Sequence, residues 1–119
     1  MGKWRKGEWL ARRMSPEDRI LEDIIERLVD AFQPERIYLF GSRARGEETD
    51  DSDYDLLLVI KSSSLPRYKR EQDAFRVLNG VGASKDVIVL THDEFESKLS
   101  VVTSLPATVE REGKLVYAA

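Results

Sequence analysis

Asp53 and Asp55 stand one residue apart, immediately ahead of the apolar run Leu56 to Ile60. On an extended strand, residues i and i+2 face the same way, so these carboxylates aim at one spot. Like charges that close repel unless a cation lies between them. A hard divalent ion with oxygen ligands meets that need, and magnesium is the first candidate. A third carboxylate, Asp86, opens a later apolar run, Val87-Ile88-Val89. If that run lies beside the first, Asp86 completes a triad; with Lys85 adjacent, a surface ion pair is the competing reading. Upstream, Gly41-Ser42 follows another apolar run, Ile37 to Phe40. A glycine there allows close backbone approach, and the following amides and the Ser42 hydroxyl can donate to phosphate oxygens. Arg45 adds a charge-assisted contact, unless it pairs with Glu47 or Glu48. Alone, a D-x-D at a strand start is more often a loop cap, and Gly-Ser more often a turn.

The elements that must carry these residues can be read from the pattern. Ser15-Pro16-Glu17-Asp18 starts a helix, with Ser15 as cap and Pro16 at the first helical position. Ile20, Leu21, Ile24, Ile25, Leu28 and Val29 then recur at the helical period, and Gln33-Pro34 ends the run. Arg36 to Phe40 is the first strand and Tyr54 to Lys61 the second; the unbroken Leu-Leu-Leu-Val-Ile of the second predicts burial on both faces. A second helix spans Arg67 to Leu78, with a weaker stripe of Tyr68, Phe75 and Leu78. Lys85 to Leu90 is a third strand, Thr91-His92-Asp93-Glu94 opens a helix running to about Ser100, and His92 is read as part of that cap. Leu105 to Arg111 is a short helix terminated by Gly113, and Leu115 to Tyr117 a final strand or tail. The fold class is α/β, with a small mixed sheet of three to four strands packed against helices; the pattern leaves strand direction open.

Composition narrows the chemistry. The chain has 119 residues, no cysteine and one histidine, which removes thiolate catalysis, cysteine-ligated zinc and any multi-histidine metal site. Carboxylates, hydroxyls and basic side chains must do the work. No run is long and apolar enough to span a bilayer and no signal-peptide pattern opens the chain, so a cytoplasmic protein is expected. Net charge is −3, against broad nucleic-acid binding. The charge is uneven: residues 1–13 carry +4 and the remainder −7. Two units are expected, a basic N-terminal arm over 1–14 and a single domain over 15–119. The arm, which holds both tryptophans, is either a loose terminus or a contact segment.

Gly41-Ser42-Arg43-Ala44-Arg45-Gly46, five residues, then Ser52-Asp53-Tyr54-Asp55-Leu56 resembles the signature of the minimal nucleotidyltransferases, the smallest members of the DNA polymerase beta-like superfamily. The resemblance implies the polymerase-beta-like fold and two magnesium ions held by Asp53, Asp55 and Asp86. One ion would help deprotonate the attacking hydroxyl; the other would neutralise the donor triphosphate. It gives Gly41 and Ser42 the triphosphate contacts, with Arg45 as a further contact, and ATP as donor. Minimal nucleotidyltransferases commonly occur beside a helical HEPN-type partner, in pairs that behave as toxin–antitoxin systems. In some, AMP is added to a tyrosine of the HEPN ribonuclease, which silences it. The resulting expectation is a protein adenylyltransferase acting on a HEPN-type partner. After Asp86 only 33 residues remain, too few for an acceptor-binding domain; a homodimer would be one way to cover an exposed apolar patch. The alternatives are nucleotidyl transfer to a small molecule, and a non-catalytic nucleotide-sensing module that neutralises a partner by occlusion.

Overall fold

A computed structural model describes residues 19–47, 49 and 52–119. The basic arm, the Ser15 cap, Asp50 and Asp51 lie outside the described residues. The elements run α1 (Arg19–Phe32), β1 (Arg36–Phe40), β2 (Tyr54–Ile60), α2 (Arg67–Val77), β3 (Lys85–Thr91), α3 (His92–Glu96), α4 (Leu105–Glu112) and β4 (Lys114–Ala118). They build one four-stranded mixed sheet in the order β3-β2-β1-β4. β1 runs antiparallel to both β2 and β4, whereas β2 and β3 are parallel and joined through α2. The parallel pair needs a long crossover, and α2 supplies it.

Helices cover both faces. Leu21, Ile24, Ile25 and Leu28 of α1 are buried with Ala74 and Leu78 against Ile37, Leu39, Leu56, Leu58 and Val87. The opposite face carries Tyr38, Leu57, Val59 and Leu90 beneath Phe95 of α3 and Val109 of α4. Leu56 to Val59 are all fully buried, because β2 is an interior strand with helices on both sides. α1 ends where Gln33 turns to φ +47 and donates back to the Val29 carbonyl at 2.9 Å, just before Pro34.

Two elements differ from the sequence expectation. α2 does not bury Tyr68 and Phe75, which are 61% and 43% exposed; its inward face is Arg70, Ala74 and Leu78, spaced by four. Arg70 is held there because it donates to the Val89 carbonyl at 3.0 Å and, through two nitrogens, to Glu94 at 2.7 and 3.1 Å. Glu71 accepts from the Val89 amide at 3.2 Å. α2 thus satisfies the outward backbone groups of edge strand β3 at Val89, a position an apolar stripe could not serve. α3 stops at Glu96 rather than near Ser100, because Lys98 and Leu99 bond to carbonyls three residues back and tighten the chain into turns. Its cap is Thr91, closed into a capping box by Glu94, while His92 instead bonds Glu35 at 2.7 Å. Gly113 does terminate α4, in an extended conformation; a Cβ there would lie 2.7 Å from the Val109 carbonyl oxygen and 3.0 Å from that of Leu39.

Candidate active site

The end of β1 and the starts of β2, β3 and β4 converge at one end of the sheet, since β2 and β4 are both antiparallel to β1 and β3 is parallel to β2. Asp55 lies opposite Phe40 in β1 and opposite Asp86 in β3. Strand alternation then fixes the face. Tyr54, Leu56 and Leu58 belong to the α1 side, and Leu57 and Val59 to the α3/α4 side. Asp55 therefore falls on the α3/α4 side, and Asp53, one residue ahead of β2, lies close enough to act on its charge. Asp86 joins Asp55 by the same alternation with Ile88 and Leu90. Asp55 and Asp86 thus share one face and one end of two neighbouring strands, with Asp53 just ahead of the first. Lys85 points to the other face and donates to the Val81 carbonyl at 3.4 Å; among the described residues no ion pair joins it to Asp86.

Electrostatics register this grouping. Burial lifts the pKa of Asp55 above the usual carboxylate range, the Asp86 and then the Asp53 carboxylate lift it further, and Arg45 opposes. Asp53 and Asp86 are exposed, so Asp55 is the half-buried member of the set. No three acidic or histidine side chains among the described residues are already drawn around a common point. The donor set is nonetheless all oxygen, is crowded with negative charge, and opens to solvent, which suits a hard divalent cation that keeps part of its water. By donor chemistry these are oxygen ligands of the kind a hard divalent ion takes.

Gly41 sits against this carboxylate. Its φ of +76 lies in the left-handed region, and a Cβ built there would overlap Oδ2 of Asp55 and come within 3.1 Å of Cγ. Only glycine lets the turn pass at contact distance. The chain then coils tightly: the Gly41 carbonyl accepts from the Ala44 and Arg45 amides at 3.1 and 3.3 Å, and the Ser42 carbonyl from Glu47 at 2.9 Å. Among the described residues no backbone acceptor within the turn is paired with the Ser42 and Arg43 amides. Arg45 takes the alternative partner foreseen from sequence, donating to Glu47 at 2.8 Å. That pair is about half exposed on each side, so it is weak and exchangeable. Arg43, which the sequence marks only as a member of the motif, is engaged inward: it donates twice to the Ser52 carbonyl, at 3.2 and 2.9 Å, and its guanidinium lies 3.9 Å from the Tyr54 ring centroid. Those contacts reach nine and eleven positions along the chain, and the local spacing carries no signal for them.

Known proteins are similar to this chain in sequence and fold. Residues 21–116 match the nucleotidyltransferase domain family. The chain belongs to that family, and its activity class is that of a nucleotidyltransferase. Two Methanocaldococcus jannaschii proteins, MJ0141 and MJ1379, each named a candidate protein adenylyltransferase, are similar to it. The first is 29% identical over 66% of this chain and 75% of its own length, the second 30% over 65% and 78%. The crystal structure of a candidate nucleotidyltransferase from Sulfolobus solfataricus superposes with a TM-score of 0.59 at 27% identity, covering 99% of this chain and 92% of that one. The α/β fold expected from the sequence is the one found. Among the described residues no helix is long and apolar enough to cross a membrane.

Proposed function

We propose that this chain is a magnesium-dependent adenylyltransferase that moves AMP from ATP to a hydroxyl of a protein partner of the HEPN type. The observation that carries the reading is the cross-strand pair of Asp55 and Asp86, with Asp53 just ahead of β2 and the Gly41 turn packed against Asp55. Asp53, Asp55 and Asp86 would hold the metal, and Gly41, Ser42 and Arg45 the triphosphate. Bound magnesium supplies charge neutralisation for an in-line displacement at the α-phosphorus. The chain's own residues orient the donor. The amides after Gly41 and the Ser42 hydroxyl donate to phosphate oxygens, and Arg45 leaves Glu47 to add a cation. Asp86, exposed on edge strand β3, is open to an incoming acceptor and takes the hydroxyl proton. The new bond joins acceptor oxygen to α-phosphorus; the bond to the β-phosphate oxygen breaks and pyrophosphate leaves. That the acceptor is a protein is supported by the names of the two archaeal relatives. The HEPN class and the antitoxin role follow from the family resemblance of the motif.

The test is incubation of the chain with ATP, magnesium and a candidate HEPN partner, read by intact-protein mass spectrometry. Addition of one AMP to the partner, lost with Asp53→Ala and with chelator, is the expected result. A partner that is inhibited yet unmodified would point to occlusion, and label appearing only on small hydroxylated acceptors would redirect the reading to them.

A further inference from the structure

We infer that Arg43 is a positioning residue that clamps the phosphate-binding turn to the metal-binding strand, and that the two arginines of the motif have separate tasks. The inference rests on the nucleotidyl-transfer reading for its consequence, though not for its geometry. Arg43 follows Ser42 directly, so its backbone is part of the turn. Its side chain reaches forward nine residues to the Ser52 carbonyl, the group immediately before Asp53, with Nε at 3.2 Å and Nη2 at 2.9 Å. Its guanidinium face lies on the ring of Tyr54, the residue immediately after Asp53. Asp53 is therefore bracketed on both sides by one side chain rooted in the turn.

The anchor is firm. The Tyr54 ring is buried in the core cluster, and its amide donates to the Ser84 carbonyl at 3.0 Å, just ahead of β3. Two hydrogen bonds from a charged donor to one carbonyl, together with a stacked ring, hold a planar guanidinium in one orientation. A lysine could keep the charge but not the fork or the stacking. Arg45 is the contrast: exposed, paired with Glu47 alone among the described residues, and able to swap that partner for a phosphate. Arg43 has committed two N–H groups and one face to the protein. Its effect on the reaction runs through the placing of Asp53 relative to Gly41 and Ser42.

The full chain would be compared as wild type, Arg43→Lys, Arg43→Met and Arg45→Ala. Three readouts are needed: manganese affinity without nucleotide, by paramagnetic NMR; amide hydrogen exchange at Tyr54 and Asp55; and kcat and KM for ATP. Both Arg43 variants should speed exchange at these amides and weaken manganese by about tenfold or more, as removal of a supporting shell does. They should lower kcat more than they raise KM. Arg45→Ala should raise KM and leave manganese affinity and exchange unchanged. Wild-type exchange and manganese affinity in both Arg43 variants would overturn the inference. So would full recovery by Arg43→Lys, or an Arg45-like loss confined to KM, which would make Arg43 a phosphate ligand. If Arg43→Met fails to fold, Arg43→Lys decides. Asp53→Asn/Asp55→Asn serves as the control on the underlying reading: unchanged manganese affinity there would remove the metal site, while exchange at Tyr54 still decides the clamp.

Discussion

Asp55 has its charged form disfavoured first by burial and then by Asp86 and Asp53, with Arg45 pulling the other way. Its pKa in the fold thus lies above its unfolded value. The folded state binds the proton more tightly, so without metal the stability falls as pH rises through the window between the two values, and the penalty persists at neutral pH. Asp55→Asn should therefore melt higher than wild type in chelator at pH 7, while losing about 10³-fold or more in transfer, several kcal/mol of transition-state stabilisation. Differential scanning fluorimetry beside an activity assay reads both; a lower melting point would show that the carboxylates are not in conflict. Gly41→Ala probes the neighbouring constraint. The left-handed backbone alone costs about 1–2 kcal/mol for an alanine, and the methyl must also displace Oδ2 of Asp55. The expected outcome is a destabilised chain that no longer binds nucleotide, measured by denaturant unfolding and calorimetry.

At the scale of elements, the helices are held by polar devices more than the apolar pattern suggests. Arg70 is 6% exposed and joins α2 to the Leu65 carbonyl, to Val89 of β3 and to Glu94 of α3. Its removal leaves a buried carbonyl short of a partner and a carboxylate without its cation. Arg70→Ala should cost about 3 kcal/mol in urea unfolding, whereas Tyr68→Ala on the outer face of the same helix should change stability by less than about 0.5 kcal/mol. The Arg70 hydrogen bonds first, and then the Thr91 amide, hold the Glu94 pKa down to about 2. A depressed carboxylate stabilises the fold above its unfolded pKa and loses that contribution as pH falls toward its folded one. Acid unfolding of the wild type between roughly pH 4.5 and 2 should thus be less steep in Arg70→Ala, where the largest cause of the depression is gone. The end of α1 can be improved: Gln33→Gly relieves a left-handed residue and should stabilise by up to about 1 kcal/mol.

For the whole molecule, the proposed site is a seam between parts distant in the chain, with Gly41, Asp55 and Asp86 brought to one end of the sheet by strand direction alone. A ligand bound there stabilises everything that meets at the seam. Magnesium with a non-hydrolysable ATP analogue, at 100 times its Kd, should add about 2.7 kcal/mol to wild-type unfolding and nothing to Asp53→Asn/Asp55→Asn. Equal shifts in both would place the nucleotide elsewhere.

Much of this architecture is legible in the amino-acid sequence alone. Continuous and helical-period apolar runs announce β1, β2, β3 and α1, because each buries an apolar face and that demand is written locally. The Gly-Ser and paired-Asp spacing announces the site, because residues i and i+2 on a strand must share a face whatever lies around them. Strand order and direction are not legible, since an apolar strand pairs equally well either way until its neighbours are placed. Nor is the inward face of α2, where Arg70 is buried only because an edge strand offers Val89, or the Arg43 clamp, whose partners arrive from nine and eleven residues away. Local pattern states what each segment must hide. Which polar groups meet once it is hidden is decided by the packing of segments far apart in the chain, and that packing sets the third carboxylate, Asp86, beside Asp55.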